Sequence, residues 1–293
     1  MARDEQHAAP PLAVPRPRAR ATLVRARALG RLARDAALAP VYRAYAARLR
    51  SAVLAHPVPQ HVAVIMDGNR RWARELGLRG IRSGHRHGAA RAIDVLDWCA
   101  ALGIREVTLW ALSLENLERS ADEVEAITEI ARETLEALAD RDRAHRLQMS
   151  LQVIGRRDLL PPRLREAAER GENETRGRPG LRVVLALGYS GRDELVEAAR
   201  AAVRSLLAEG TPPEALADAL DAGRLADQLY TRGSSDPDLI IRTSGEVRLS
   251  GFLPWQSAYS EFYFCDAYWP AFREIDFLRA IRTYQQRARR FGR

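Results

Sequence analysis

The chain contains no lysine. All 46 of its basic residues are arginines, set against 38 acids for a formal net charge of +8, and so uniform a choice reads as coding bias rather than as selection for forked contacts. Cysteine is nearly absent as well. Cys99 and Cys265 stand in apolar surroundings without metal-ligand spacing, which excludes a disulfide framework and a zinc site and leaves two reduced core thiols. No apolar run approaches the roughly 18 residues that span a bilayer, and no charged start, apolar stretch and small-residue cleavage site mark a secretory signal. The expected location is cytoplasmic. The basic excess suggests a nucleic-acid ligand only until it is located: residues 1–60 carry eleven arginines against Asp4, Glu5 and Asp35, while the remainder balances 35 basic residues with 35 acids. A neutral body behind a basic tail lacks the basic stripe of a nucleic-acid binder, and no nucleic-acid partner is expected.

At 293 residues with 46% hydrophobic content, the chain is long enough for a substantial core. Residues 1–20, rich in Ala, Pro and Arg without apolar periodicity, are expected to form a disordered basic tail. Residues 21–57 read as a helical arm. One helix pattern covers Leu23 to Leu38; a second follows Pro40, with Val41, Tyr42, Tyr45, Leu49 and Val53 on one face and Arg43, Arg48 and Arg50 elsewhere. Such a helix either packs on the following domain, the favoured reading, or lies peripherally on an anionic membrane surface, where each basic residue adds about 1 kcal/mol. Over residues 58–293 apolar runs of strand length alternate with helix-periodic segments, which predicts a single α/β domain with a largely parallel sheet. Strands are expected at Val62–Met66, Val107–Leu112, Leu147–Ile154, Leu181–Leu187 and Leu239–Arg242, with a weaker sixth at Phe262–Cys265. Helices are expected at His85–Leu102, Ser120–Ala139, Arg192–Leu207, Pro213–Leu229 and Ile275–Arg289, the second opened by Ser120 and Glu123 at capping-box spacing.

Polar residues at the carboxyl ends of parallel strands share one edge of the sheet. The first strand candidate runs into Asp67, then Gly68, Asn69, Arg70 and Arg71, a carboxylate beside donors suited to phosphate oxygens. Two readings stand: a magnesium ion bridging Asp67 to a diphosphate, since hard cations often hold substrate phosphates through one or two carboxylates, or an acid paired locally with Arg70 or Arg71. The second candidate ends in Ser113-Leu114-Glu115-Asn116-Leu117-Glu118-Arg119, a helix cap or a further ligand set. His85 follows Gly84 at a helix start, where it caps the helix or faces an anion. Later, Arg242 emerges from an apolar run, Gly245 permits a turn, and Arg248 and Ser250 suit a second diphosphate; Glu261 adds a second acid. Two phosphate-type clusters on one sheet point to an enzyme that handles two diphosphates.

The segments MDGNRRWAR, GHRHGA, SLENLERS, GYSGRDE and IRTSGEVRLSGFLPWQSAYSEFYF, in this order and spacing over residues 58–292, resemble the motifs of the cis-prenyltransferases, the family of undecaprenyl diphosphate synthase and the shorter-chain Z-isoprenyl diphosphate synthases. The resemblance implies a parallel six-stranded sheet flanked by helices, a hydrophobic tunnel and a homodimer. It also implies magnesium-dependent cis condensation of isopentenyl diphosphate with an allylic diphosphate to give a Z-polyprenyl diphosphate of short to medium length, with long-chain synthesis of a cell-wall lipid carrier as the alternative. On this resemblance Asp67 holds Mg2+ on the allylic diphosphate, which Gly68, Asn69, Arg70, Arg71, Arg82 and His85 bind, with Trp72 close to the prenyl chain. Ser113, Leu114, Glu115, Leu117 and Arg119 lie near the allylic substrate, and Asn116 is the proton-removal position. An amide is a poor base at neutral pH, so diphosphate or water is expected to share that step. Arg242, Arg248, Leu249 and Ser250 bind isopentenyl diphosphate, and Glu261 contributes to the metal site from the partner-facing end of the sheet.

Departures from the family pattern are Leu114 for a small hydroxyl residue, Leu117 for Trp and Gly188 for Asn. One extra residue between Trp72 and His85 leaves Arg79 and Arg82 as alternatives for one diphosphate contact, with Arg82 preferred. Gly188, Leu117 and the PVYRAYAARLR segment are similar to short-chain Z-farnesyl-type enzymes of actinobacteria; Ala111, small at a tunnel-lining position, points to longer products. Three rival readings are weaker. A trans-prenyltransferase or terpene cyclase needs an aspartate-rich DDxxD motif, which is missing. A non-catalytic partner subunit of the same fold is expected to lose Asp67, Arg242, Arg248 or Glu261, all of which are present. A nucleic-acid binder is left with only the tail.

Overall fold

A computed structural model describes residues 39–78 and 81–287, the side chains of residues 81–83 and 85 excepted. The chain divides into two compact units, 1–48 and 49–293. In the first, residues 39–48 are helical; the expected tail and the pattern at Leu23–Leu38 lie outside the described residues. In the second unit residues 49–54 are helical. There Leu49 and Val53 are buried, Gln285 Nε2 donates to the carbonyls of Val53 and Pro57 at 2.8 and 3.1 Å, and Arg50 pairs with Glu274. Residues 49–57 thus pack as part of the second unit's core.

Six strands build the second unit: β1 (His61–Ile65), β2 (Glu106–Ser113), β3 (Ser150–Ile154), β4 (Arg182–Tyr189), β5 (Leu239–Arg242) and β6 (Glu261–Phe264). Their spatial order is β3-β4-β2-β1-β5-β6, and every ladder is parallel. All residues of β1 and β5 are buried, as strands covered on both faces must be. The longer helices are α1 (Asn69–Glu75), α2 (Ile81–Leu102), α3 (Ala121–Leu138), α4 (Arg141–Arg146), α5 (Pro162–Thr175), α6 (Gly191–Ala208) and α7 (Glu274–Gln286). The chain leaves central β1 toward β2 on one side and later returns to β5 on the other, so a crevice opens beyond the carboxyl ends of these three strands. Residues 67–71, 113–119 and 242–250 all issue into it.

Four expectations change. The helix expected from His85 begins at Ile81, so residue 85 lies inside it rather than at its start. The strand expected from Leu147 begins at Ser150, because Gln148 takes a left-handed backbone, φ 45°, after α4. The helix expected over Pro213–Leu229 is three short turns, Pro213–Ala215, Leu216–Ala219 and Ala222–Ala226. Asp221 breaks it: its carboxylate accepts the Arg224 N–H at 2.8 Å and starts a new helix. Helices α4 and α5 were not expected from a stretch dense in charge. In α5, Gly171 takes the place of a side chain because a Cβ there would come within 3.1 Å of Leu151 and 3.2 Å of Leu135.

Candidate active site

Asp67 sits two residues past the end of β1, and its main chain is fixed on both sides. Its N–H donates to Thr243 Oγ1 at 3.0 Å, while its carbonyl accepts from that hydroxyl at 2.7 Å and from the Trp269 N–H at 2.9 Å. Gly68 then turns the chain with φ +102°, and a Cβ there would meet the Tyr268 ring at 2.6 Å, so only glycine fits. Arg242 Nη2 donates to Asp67 Oδ2 at 2.9 Å, and Arg71 Nη2 lies 3.4 Å from the same oxygen. Burial works to raise the Asp67 carboxyl, but the Arg242 hydrogen bond and charge, aided by Ser244 and Arg71, outweigh it and hold the group below the usual carboxylate range.

Arg242 joins the two polar clusters. Its side chain is 5% exposed, and beyond Asp67 its Nη1 donates to Ser250 Oγ at 2.8 Å and to the Arg248 carbonyl. The intervening loop needs left-handed backbone at Ser244 and Ser250, φ 81° and 53°. Arg71 reaches the same loop, donating to Ser244 Oγ at 2.7 Å and to Glu246 Oε1 at 2.8 Å, and Glu246 also pairs with Arg248. A second acid clips the other side: Glu123 Oε1 lies 3.2 Å from Arg70 and 2.6 Å from Arg119.

These groups surround an open cavity of about 490 Å³. Its walls bring together Asp67, Gly68, Asn69, Arg70 and Arg71 after β1, Arg242 at the end of β5 with Ser250 beyond it, and Ser113 at the end of β2 with Asn116 and Arg119 beyond it. The last three share a face because residues 114–118 form a 3₁₀ helix with three residues per turn. A second, mainly apolar recess of about 50 Å³ lies between α2, β2 and α3, and Met66, Asn69, Ala111, Asn116 and Arg119 line both spaces. Among its walls are Ala89 and Ala92 of α2 and Ile127, Ile130 and Ala131 of α3. A phosphate-suited chamber and an apolar recess therefore share a wall.

The family model for undecaprenyl diphosphate synthase matches residues 65–292. The chain is a cis-prenyltransferase. It is 49% identical over 253 residues to a (2Z,6E)-farnesyl diphosphate synthase of Thermobifida fusca, covering 86% of this chain and 97% of the relative. It is 45% identical over 274 residues to a geranylgeranyl-diphosphate-specific tritrans,polycis-undecaprenyl-diphosphate synthase of Methanopyrus kandleri, covering 94% and 99%. The crystal structure of lavandulyl diphosphate synthase from Lavandula x intermedia, in complex with dimethylallyl diphosphate, superposes with a TM-score of 0.72 at 33% identity, over 80% of this chain and 99% of that one.

Not every residue expected at this cis-prenyltransferase site faces the cavity. Leu114, Glu115 and Leu117 lie on the other faces of the 3₁₀ helix and are not among the lining residues. Leu117 instead approaches Gly188: a Cβ at 188 would be 3.4 Å from Leu117 Cδ1, so two departures from the family pattern are spatial neighbours. Trp72 meets the His87 ring at 4.8 Å. Leu249 packs against the core cluster around Phe252 and Ala186, and Arg248 is exposed. Arg79 and the side chains of Arg82 and His85 lie outside the described residues. Glu261 opens β6, where its register partner is Leu239 at the start of β5, and it pairs with Arg287. The carboxyl ends of the strands are about 10 Å further on, at about 3.3 Å per residue, so the chain does not bring Glu261 to its own Asp67.

The structure also adds residues. Arg74 and Trp110 line the cavity beside Ala111, which the resemblance already placed at the tunnel wall, and Glu123 and Glu246 organise its arginines. Glu123 was expected to close a capping box with Ser120, but Ser120 makes no side-chain cap; two guanidiniums outcompete one backbone N–H. Among the described residues no group of three or more His, Cys, Asp or Glu is placed to hold a metal. Asp67 nonetheless suits magnesium: it is an ionised carboxylate on the cavity wall, with both arginine contacts on Oδ2, and a substrate diphosphate brings the further oxygens such an ion takes.

Proposed function

We propose that this enzyme condenses isopentenyl diphosphate with a short allylic diphosphate in the cis sense, with Mg2+ held by Asp67, and that it stops at short products. The observation that carries this reading is the wall that the arginine-lined chamber shares with the narrow apolar recess. The relatives do not fix product length, since farnesyl and undecaprenyl synthases stand at similar identity. The narrowness of that recess, about 50 Å³ between β2, α2 and α3, is what favours the short chain over the long one. Bound magnesium supplies positive charge to the leaving diphosphate. Arg70 and Arg71 bind that diphosphate, Arg242 and Ser250 the other, and their spacing holds the reacting carbons in line. Asn116 Oδ1 already accepts the Ser113 N–H at 3.2 Å, so Asn116 orients substrate while a diphosphate oxygen or water takes the proton.

The same reading includes a homodimer. It is supported by β6, a sheet-edge strand whose four residues are all half-buried, and by Glu261, which can serve a metal site only from a second copy. Sedimentation at twice 32.7 kDa is expected, and a monomer at working concentration would remove it. A cytoplasmic enzyme that touches anionic membrane through its basic arm completes the proposal. The test of activity is incubation with Mg2+, labelled isopentenyl diphosphate and geranyl or farnesyl diphosphate, followed by product chromatography. One or a few added units in Z configuration are expected; no incorporation would sink the activity, and long polyprenyl products would sink the length.

A further inference from the structure

The segment Ala267–Trp269 lies outside every motif read from the sequence, yet it ties three parts of the site together. The Ala267 carbonyl accepts the Ser244 N–H at 2.8 Å, the Trp269 N–H donates to the Asp67 carbonyl at 2.9 Å, and Trp269 Nε1 donates to the Gly88 carbonyl at 2.8 Å. Tyr268, between them, is held at both ends. Its hydroxyl donates to Glu75 Oε1 at 2.6 Å, at the end of α1, and its ring lies where a side chain on residue 68 would have to go. Over that ring, 5.8 Å from its centroid, stands the Arg71 guanidinium.

Arg71 otherwise faces anions that substrate must compete with. Its other partners are Asp67, Ser244 and Glu246, and a diphosphate entering beside Asp67 replaces acid contacts with phosphate ones. Of these partners only the Ser244 hydroxyl is not an acid, so most of what orients the guanidinium edge is exchanged when substrate enters. A face-on aromatic contact persists through that exchange, because attraction to the ring does not depend on which anion lies at the guanidinium edge. We propose that Tyr268 is a positioning residue for Arg71, a fixed platform that keeps the guanidinium aimed at the diphosphate site while its anionic partners change. The proposal rests on the reading of this cavity as a diphosphate site.

The test is calorimetric titration of geranyl diphosphate with Mg2+, without the second substrate, into wild type, Tyr268→Leu, Tyr268→Phe, Arg71→Gln and the Arg71→Gln/Tyr268→Leu pair. Tyr268→Leu is expected to weaken binding about two- to fivefold, the range of an exposed cation–π contact, and Tyr268→Phe, which keeps the ring, to bind as wild type does. In turnover the Leu variant raises KM for the allylic substrate and leaves kcat and KM for isopentenyl diphosphate unchanged. In the Arg71→Gln background Tyr268→Leu adds nothing. Equal weakening in both backgrounds, or none in wild type, overturns the proposal. Absence of binding by wild type removes the diphosphate reading itself, and this proposal with it. Should Tyr268→Leu fail to fold, Tyr268→Met makes the same comparison.

Discussion

A carboxylate surrounded by guanidiniums is useful only while it stays ionised, and Asp67 does. Its folded pKa is depressed, so the stability it contributes is present above the unfolded value and is lost only as pH falls through the lower folded one. Rate changes between pH 5 and 8 therefore belong to other groups. Asp67→Asn, which keeps an acceptor for Arg242, is expected to lower kcat at least about a hundredfold with a Tm shift below about 5 °C; near-normal turnover in steady-state assays would remove Asp67 from the mechanism. Glu194 behaves oppositely. It is fully buried and accepts from the Tyr189 hydroxyl at 2.6 Å, the Tyr230 N–H at 2.9 Å and Gln256 Nε2 at 3.2 Å. Burial raises its pKa against those hydrogen bonds. The folded chain then binds the proton first, so stability rises as pH falls through the raised folded value. Thermal melts from pH 8 down to 5 are expected to show wild type gaining on Glu194→Gln; parallel curves would contradict this.

At the scale of elements, the recess is shaped by which small residues α2 and α3 turn toward β2. Ala131 of α3 and Ala89 and Ala92 of α2 all line it, and each Ala leaves room that a larger side chain removes. Ala131→Leu is expected to fill the space and stop elongation after fewer additions, whereas Ile130→Ala is expected to lengthen the products, both read by chromatography of labelled chains. An unchanged product distribution in both variants would show that the growing chain does not enter between these helices. Much of this element-level order was readable from the sequence. All six strands are found within a few residues of their expected positions; β1, β4 and β5, buried along almost their whole length, appear as continuous apolar runs. The 3₁₀ helix after β2 was not readable: its three-residue period turns Ser113, Asn116 and Arg119 inward and Leu114, Glu115 and Leu117 away, and five residues are too few to show a period.

For the whole molecule, charge is divided between a basic arm and a neutral body. Deleting residues 1–38, which hold eight of the eleven arginines before residue 60, is expected to weaken sedimentation with anionic vesicles while leaving kcat unchanged; undiminished vesicle binding by the truncated enzyme would show that those eight arginines take no part in the contact. No helix among the described residues is long and apolar enough to cross a membrane. Local chemistry along the chain was enough to announce a parallel α/β sheet, two diphosphate-type clusters and Asp67 between them, since apolar runs and strand-end polar residues are written consecutively. What consecutive reading misses is partnership across distance. Arg242 meets Asp67 from 175 positions away, Glu123 joins Arg70 to Arg119, Tyr268 underlies Arg71, and Glu261 falls at the wrong end of its strand for its own Asp67. Those outcomes depend on strand order, register and the direction in which each chain segment crosses the sheet, and packing sets these for the molecule as a whole.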